Sequence, residues 1–159
     1  MAFALTSPAF VDGNAIPMEF TCDGNDAPPP LLIRDPPVGA QSFAVVMDDP
    51  DAPSGLFTHW MAYDIPADGT ELKTTAGKTL RNDFGRHGYG GPCPPHGHGA
   101  HRYHVTVFAL DVPSLDLPGD TRDDLEAAIK GHTLGMVRMM GRYERSKVDA
   151  THGDRVTRP

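Results

Sequence analysis

The chain has 159 residues, of which 39% are hydrophobic and 22% are charged, as is typical of one globular domain with a single core. Its formal net charge of −7 argues against a nucleic-acid-binding protein, because binding to a phosphate backbone depends on clustered cations. No apolar run approaches the roughly 20 residues that span a bilayer, and the N-terminus lacks the features of a signal peptide. We therefore predict a cytoplasmic protein with no nucleic-acid partner, no membrane insertion and no cofactor.

Short apolar segments between prolines and glycines predict a mainly β fold. The chain contains 16 prolines and 17 glycines, and the intervening pieces are rich in Val, Phe, Leu and Thr, a composition that favours strands and turns. The first predicted strands are residues 3–11, 17–21 and 31–33.

Residues 42–47, SFAVVM, form a continuous apolar run, which predicts a central strand covered on both faces. The next predicted strand, residues 56–65, alternates with a period of two, so His59 is expected in the interior or at the floor of a pocket. The residues expected to share its face are Phe57, Met61 and Tyr63.

A strong strand is predicted at residues 101–111, where Tyr103 and His104 should lie on opposite faces. One helix is predicted at residues 121–130, because Thr121 can cap it and acidic residues occupy its first turn. Residues 136–143 predict a final strand. We expect a single domain over residues 1–145, followed by a polar C-terminal tail over residues 146–159.

Residues 82–104 contain five of the eight histidines, together with six glycines and three prolines. Glycine and proline exclude a helix and weaken a strand, so we predict a long rigid loop. Long ordered loops in compact domains usually bind something. A transition-metal site is a weak alternative, because the spacing of the histidines does not place them together; they are His96, His98, His101 and His104.

The segment DDPDAPSG, residues 48–55, follows a predicted buried strand and precedes the strand with His59. Aspartate and proline are common in turns for structural reasons alone. Because the two strands are neighbours in sequence, Asp49 and His59 could meet across one hairpin. A carboxylate that accepts an imidazole proton fixes the tautomer of the histidine and raises its basicity.

The two cysteines, Cys22 and Cys93, are expected to be free thiols in a cytoplasmic protein, although a disulfide stays possible because both lie in turn-rich segments. Cys93 as an enzyme nucleophile would need His96 or His101 as its base from across the loop. A small buried side chain in a tight turn is the simpler interpretation.

Histidines, tyrosine hydroxyls and the amides of glycine-proline loops are suited to binding a small anion without a large positive patch. Asp49 would oppose a dianion unless it pairs with a histidine, which favours zwitterionic or monoester ligands. We therefore predict a non-enzymatic anion-binding protein. The alternatives are a metal-assisted hydrolase or a cysteine-dependent enzyme built on the histidine-rich loop, and a regulatory protein that docks a phosphorylated or acidic segment.

Four motifs, in this order, make the chain resemble the phosphatidylethanolamine-binding protein family, also called the Raf kinase inhibitor protein-like family, in its bacterial and archaeal branch. They are FTCDGNDAPPPL at 20–31, SFAVVMDDPDAP at 42–53, THW at 58–60 and YGGPCPPHGHGAHRYHVTVFALD at 89–111. The resemblance covers about residues 3–145.

The resemblance implies a large central sheet, a smaller sheet packed on it, and few helices. It also implies a pocket for phosphate, phosphoethanolamine or a related phospho-group, a possible kinase or protease partner, and a possible homodimer. The C-terminal helix that closes the pocket in mammalian members has no counterpart, because residues 136–145 predict a strand. The implied ligand-binding residues are Asp49, Pro53, His59, Pro94, Pro95, His101 and Tyr103.

Overall fold

A computed structural model describes residues 2–146 and has seven strands in two sheets, one α-helix and two short 3-10 helices. The mainly β prediction is therefore confirmed. The two 3-10 helices are Met18–Phe20 and Thr74–Ala76. In chain order the other elements are β1 (Ala4–Thr6), β2 (Leu32–Arg34), β3 (Ser42–Asp49), β4 (Phe57–Pro66), β5 (Lys78–Thr79), β6 (His101–Leu110), α1 (Arg122–Ile129) and β7 (Thr133–Tyr143).

Five strands form an antiparallel sheet in the order β5-β4-β3-β6-β7, and β1 pairs with β2 in a small antiparallel sheet. Because neighbouring strands run in opposite directions, the end of β3 and the starts of β4 and β6 lie at the same end of the large sheet. Asp49, Phe57 and His101 occupy those three positions. The candidate site lies at this end of the sheet.

Both faces of the large sheet are covered. On one face, the small sheet contributes Leu5 and Ile33 to a core that contains Val45. On the other face, Leu125 and Ile129 of α1 pack in a second core. The double coverage explains the apolar run of residues 42–47, because alternate side chains of β3 enter different cores.

The predicted helix begins one residue later than expected, with Thr121 as its N-cap. The Thr121 hydroxyl accepts a hydrogen bond from the Asp124 amide at 3.1 Å, and the Asp124 carboxylate accepts one from the Thr121 amide at 3.2 Å. This reciprocal pair satisfies two amides that a helix start leaves without partners. The final strand is also confirmed, and it begins at Thr133.

Two predicted strands differ from the structure. Residues 3–11 form a strand only at Ala4–Thr6, since Ser7 turns the chain by donating a hydrogen bond to the Pro30 carbonyl and Pro8 has no amide to donate. Residues 17–21 contain a 3-10 helix in place of a strand. There the Phe20 amide bonds to the Pro17 carbonyl, and the side chain of Phe20 is buried.

The alternation predicted for residues 56–65 is broken by a β-bulge. Met47 pairs with Trp60 and Asp48 pairs with Thr58, so His59 is an extra residue in β4. Met61 and Tyr63 consequently face the helix core, whereas His59 lies on the opposite side of the sheet. The prediction that His59 shares a face with Met61 and Tyr63 was wrong, because the extra residue of a bulge shifts the alternation of side chains along a strand.

The single-domain boundary at residue 145 stays a prediction. Apart from Ser146, the predicted polar tail lies outside the described residues. In residues 2–146, no helix is long and apolar enough to cross a membrane.

Candidate functional site

A cavity of about 150 Å³ lies at the end of the large sheet where β3 ends and β4 and β6 begin. All seven residues that the resemblance implies line this one cavity, although they come from four separate segments of the chain. Four further residues line it that were not among the implied ligand-binding residues, and they are Ala52, Phe57, Phe84 and Cys93.

Asp49, the last residue of β3, is 3% exposed and uses both carboxylate oxygens. Its Oδ1 atom accepts a hydrogen bond from the Asp51 amide at 2.7 Å, and its Oδ2 atom lies 2.7 Å from Nδ1 of His101. The expected pairing with His59 is therefore replaced by a pairing with His101. The prediction of a carboxylate that fixes an imidazole tautomer applies to this other histidine.

His101 is almost fully buried, and both of its ring nitrogens have partners. Nδ1 donates to Asp49, and Nε2 lies 2.6 Å from Nδ1 of His98. The two imidazoles share one proton along this short contact, since two facing nitrogens need one donor and one acceptor. His98 is exposed, but its ring contacts the buried site directly.

His59 lies in the bulge of β4 and is held by a hydrogen bond and by aromatic rings. Its Nδ1 atom donates to the Gly90 carbonyl at 2.7 Å, and its ring packs edge-on against Phe84 and Tyr103, with centroids 5.2 Å away in both cases. Burial lowers the pKa of His59, against the opposing effect of the Gly90 carbonyl. The neutral ring keeps its proton on Nδ1, so Nε2 is an acceptor until it takes up a second proton.

Tyr103 is completely buried, and its hydroxyl makes no well-formed hydrogen bond within residues 2–146. Burial and the negative charge of Asp49 raise the pKa of Tyr103 well above its usual range. The hydroxyl therefore remains protonated at neutral pH and is a donor in a residue that lines the cavity. A buried polar group without a partner is costly.

The turn between β3 and β4, which carries Pro53, is tied to the start of β6 by Asp51 and Arg102. The Asp51 carboxylate accepts hydrogen bonds from the Arg102 amide at 2.8 Å and from its guanidinium at 2.9 and 2.7 Å. These bonds hold the pKa of Asp51 well below its usual range. The tie fixes the distance between the two segments that supply Asp49 and His101.

The wall that carries Pro94 and Pro95 belongs to the long loop, which ends where β6 begins. The loop is anchored to the 20–26 segment by the Gly91 amide, which donates to Asp26 at 2.8 Å, and by the Tyr89 hydroxyl, which donates to the Phe20 carbonyl at 2.6 Å. These contacts agree with the predicted rigid loop.

Cys22 and Cys93 form a disulfide, with their Cα atoms 5.4 Å apart. The expectation of free thiols was therefore wrong, because the folded chain brings together two turns that are 71 residues apart in sequence. Cys93 is also not the free nucleophile that a cysteine-dependent enzyme of the histidine-rich loop would need.

The remaining histidines of the loop have separate partners. His87 lies 2.8 Å from Asp120, and His96 lies 2.9 Å from the Ser146 carbonyl. His104 faces the opposite side of β6 from Tyr103, as predicted, and burial lowers its pKa. Among residues 2–146, no three His, Cys, Asp or Glu side chains are arranged to hold a metal ion, so the geometry gives no support to the metal-assisted hydrolase.

Comparison with known proteins agrees with this architecture. The family model described as phosphatidylethanolamine-binding protein matches residues 6–144. A UPF0098 protein of Aquifex aeolicus is 49% identical over 148 residues, which cover 87% of this chain and 86% of the relative.

Two solved structures have the same fold. The Chlamydia trachomatis protein CT736, described as a homolog of phosphatidylethanolamine-binding protein, superposes with a TM-score of 0.83 at 36% identity, over 91% of this chain and 99% of that one. YbcL of E. coli, described as a new member of the mammalian family, gives a TM-score of 0.80 at 28% identity, with the same coverage.

Proposed function

The chain belongs to the phosphatidylethanolamine-binding protein family, and we propose that it binds a small anion, such as phosphate or the phospho-group of phosphoethanolamine, in the cavity at the end of β3, which we call the anion pocket. The observation that carries this proposal is the Tyr103 hydroxyl, which is buried, protonated and without a partner at the cavity. A phosphate oxygen would accept a hydrogen bond from this hydroxyl and so offset the cost of burying it.

The charges of the pocket select the kind of anion. Among the described residues, no Lys or Arg lines the cavity, and Asp49 contributes a negative charge. Positive charge therefore has to come from protonation of His59 or His101. A monoanion, or a zwitterion whose ammonium group approaches Asp49, fits these charges better than a dianion.

The size of the pocket limits the ligand to a head group. Pockets for drug-sized ligands occupy roughly 300–1,000 Å³, whereas this cavity has about 150 Å³. Phe57 and Phe84 line its wall, so a ligand larger than the head group would extend over apolar surface.

An NMR titration tests the proposal. Inorganic phosphate and phosphoethanolamine are added separately while the imidazole signals of His59 and His101 are followed. Both signals should shift and saturate, and the signal of His132 on the far side of the chain serves as the control. The absence of any shift at millimolar ligand, which corresponds to about −4 kcal/mol, would contradict the proposal.

A regulatory or inhibitory role towards a kinase or protease, and a homodimer, stay predictions from the family resemblance. The cytoplasmic location also stays a prediction. A disulfide such as Cys22–Cys93 persists more readily in an oxidising compartment, and cell fractionation distinguishes the two locations.

A further inference from the structure

The Cys22–Cys93 disulfide is accessible from a cavity that is distinct from the anion pocket. Both cysteines line this second cavity of about 260 Å³ and are partly exposed. Phe84 and Cys93 separate the two cavities, because each of these residues lines both. A disulfide whose two sulfurs lie at a cavity can be reached by a small molecule, unlike one enclosed in a core.

A buried cation lies beside one sulfur of this disulfide. The Nη1 atom of Arg145, which is 6% exposed, lies 3.1 Å from Sγ of Cys93, and its Nε atom lies 3.4 Å from Oδ1 of Asp23. A neutral disulfide sulfur is a weak acceptor and gains little from a guanidinium. A thiolate at the same position would gain a charge-assisted hydrogen bond. Arg145 therefore stabilises the reduced state more than the oxidised state.

The wall that carries Cys93 has other attachments besides the disulfide. The Cys22 amide donates to the Pro92 carbonyl at 3.1 Å, and the Gly91 amide donates to Asp26. These bonds keep the two cysteines adjacent after the sulfur–sulfur bond breaks.

We propose that Cys22 and Cys93 form a reversible thiol–disulfide couple that oxidises small thiols entering the second cavity. Arg86 and Asp26 also line this cavity and form an ion pair there, with Nη2 of Arg86 3.4 Å from Oδ2 of Asp26, so a zwitterionic ligand would exchange partners with this pair. A thiol with both an amino and a carboxylate group matches them. Cys93 is the leaving sulfur, because the cation lies beside it and a thiol of lower pKa leaves faster.

The exchange has two steps. A substrate thiolate attacks Sγ of Cys22, the Cys22–Cys93 bond breaks, and its electron pair leaves on Cys93 as a thiolate beside Arg145. A second substrate thiolate then attacks the substrate sulfur of the mixed disulfide, and Cys22 leaves and takes up a proton. Two substrate thiols are oxidised to one disulfide and lose two protons. The protein disulfide is reduced to the Cys22 thiol, which takes up one of these protons, and the Cys93 thiolate, and the other proton goes to solvent.

Equilibration with glutathione buffers tests the couple in the native protein. Free thiols are trapped with a maleimide reagent and counted by mass spectrometry, without denaturant. We expect reduced glutathione at millimolar concentration to open the bond. In Arg145→Gln, the ratio of reduced to oxidised glutathione needed for half reduction of the Cys22–Cys93 bond should rise about tenfold. Arg142→Gln, near the end of β7, should leave this ratio unchanged.

A second measurement keeps the test valid if Arg145→Gln does not fold. Asp23→Asn removes the carboxylate that compensates Arg145, so half reduction should need less glutathione than in the unaltered protein. In Cys22→Ser, the pH dependence of Cys93 alkylation should give a pKa below the ordinary thiol value of about 8.5. A disulfide that resists glutathione until urea unfolds the chain, or an ordinary Cys93 pKa, would show that the bond is only a structural crosslink.

Discussion

Nδ1 of His101 lies 2.7 Å from Oδ2 of Asp49, and both side chains are almost completely buried where β3 ends and β6 begins. Asp49→Ala would leave both the His101 ring and the Asp51 amide without their acceptor. We expect the free energy of unfolding, measured by urea denaturation, to fall by about 3 kcal/mol, as when one partner of a buried pair is removed. Asp49→Asn is the matched control, since an amide oxygen can still accept one of these hydrogen bonds.

The smaller loss expected for Asp49→Asn separates hydrogen bonding from charge. If Asp49→Ala were as stable as the unaltered protein, the Asp49–His101 pair would not stabilise the contact between the end of β3 and the start of β6. Equal losses for the two variants would show that the negative charge, and not the acceptor geometry, stabilises His101.

The lowered pKa of His59 predicts how stability depends on pH. Below about pH 6.5, an unfolded histidine takes up a proton that the folded His59 resists, so the unfolded state binds more protons. The contribution of His59 to the free energy of unfolding is therefore complete above pH 6.5 and is lost as the pH falls towards the lower pKa of the folded state. His59→Gln should reduce the slope of stability against pH between 6.5 and 5.

His104 also has a lowered pKa and contributes a slope of the same sign, so His59→Gln should remove only part of the total. His96→Gln, at an exposed histidine of the loop, is the control. An unchanged slope in His59→Gln would mean that burial does not oppose protonation of this ring.

His98 limits access of an anion to His101, since its Nδ1 atom already occupies Nε2 of His101 at 2.6 Å. In His98→Ala, Nε2 of His101 is released to the pocket as an acceptor, because Nδ1 already donates to Asp49, and it accepts a hydrogen bond from a phosphate hydroxyl. We expect phosphate to bind about threefold more tightly at pH 7, and isothermal titration calorimetry measures this change. The factor corresponds to roughly half of a typical net hydrogen bond.

His96→Ala is the matched control for this loop, because His96 bonds to the Ser146 carbonyl and not to the site. Weaker binding in His98→Ala would reverse the assignment and make His98 a direct contact of the anion.

Four of the five strands of the large sheet could be predicted, because their sequences carry strong local patterns; β5 has only two residues and was not predicted. The run 42–47 alternates between two apolar cores, and the β6 segment has Tyr103 and His104 on opposite faces. The resemblance supplied the pocket residues, since three of its four motifs lie where β3 ends and β4 and β6 begin. Whether they bind a ligand stays a prediction.

The features that were missed depend on contacts between distant segments. The bulge at His59 results from pairing between β3 and β4, and no pattern within β4 alone predicts it. The Cys22–Cys93 bond depends on how the loop packs against the 20–26 segment. The contact between His98 and His101 requires a turn of the loop that glycines on both sides of His98 permit. Alternating glycine and histidine did not predict which ring turns inward.

Tyr103→Phe tests the central claim most directly, with stability and phosphate affinity measured on the same sample. Removing an unpartnered buried hydroxyl should leave the free energy of unfolding unchanged or raise it. Phosphate affinity, measured by calorimetry, should fall about tenfold, as for the loss of one hydrogen bond to a charged group. Unaltered phosphate affinity in a folded Tyr103→Phe protein would contradict the assignment of this cavity as an anion site.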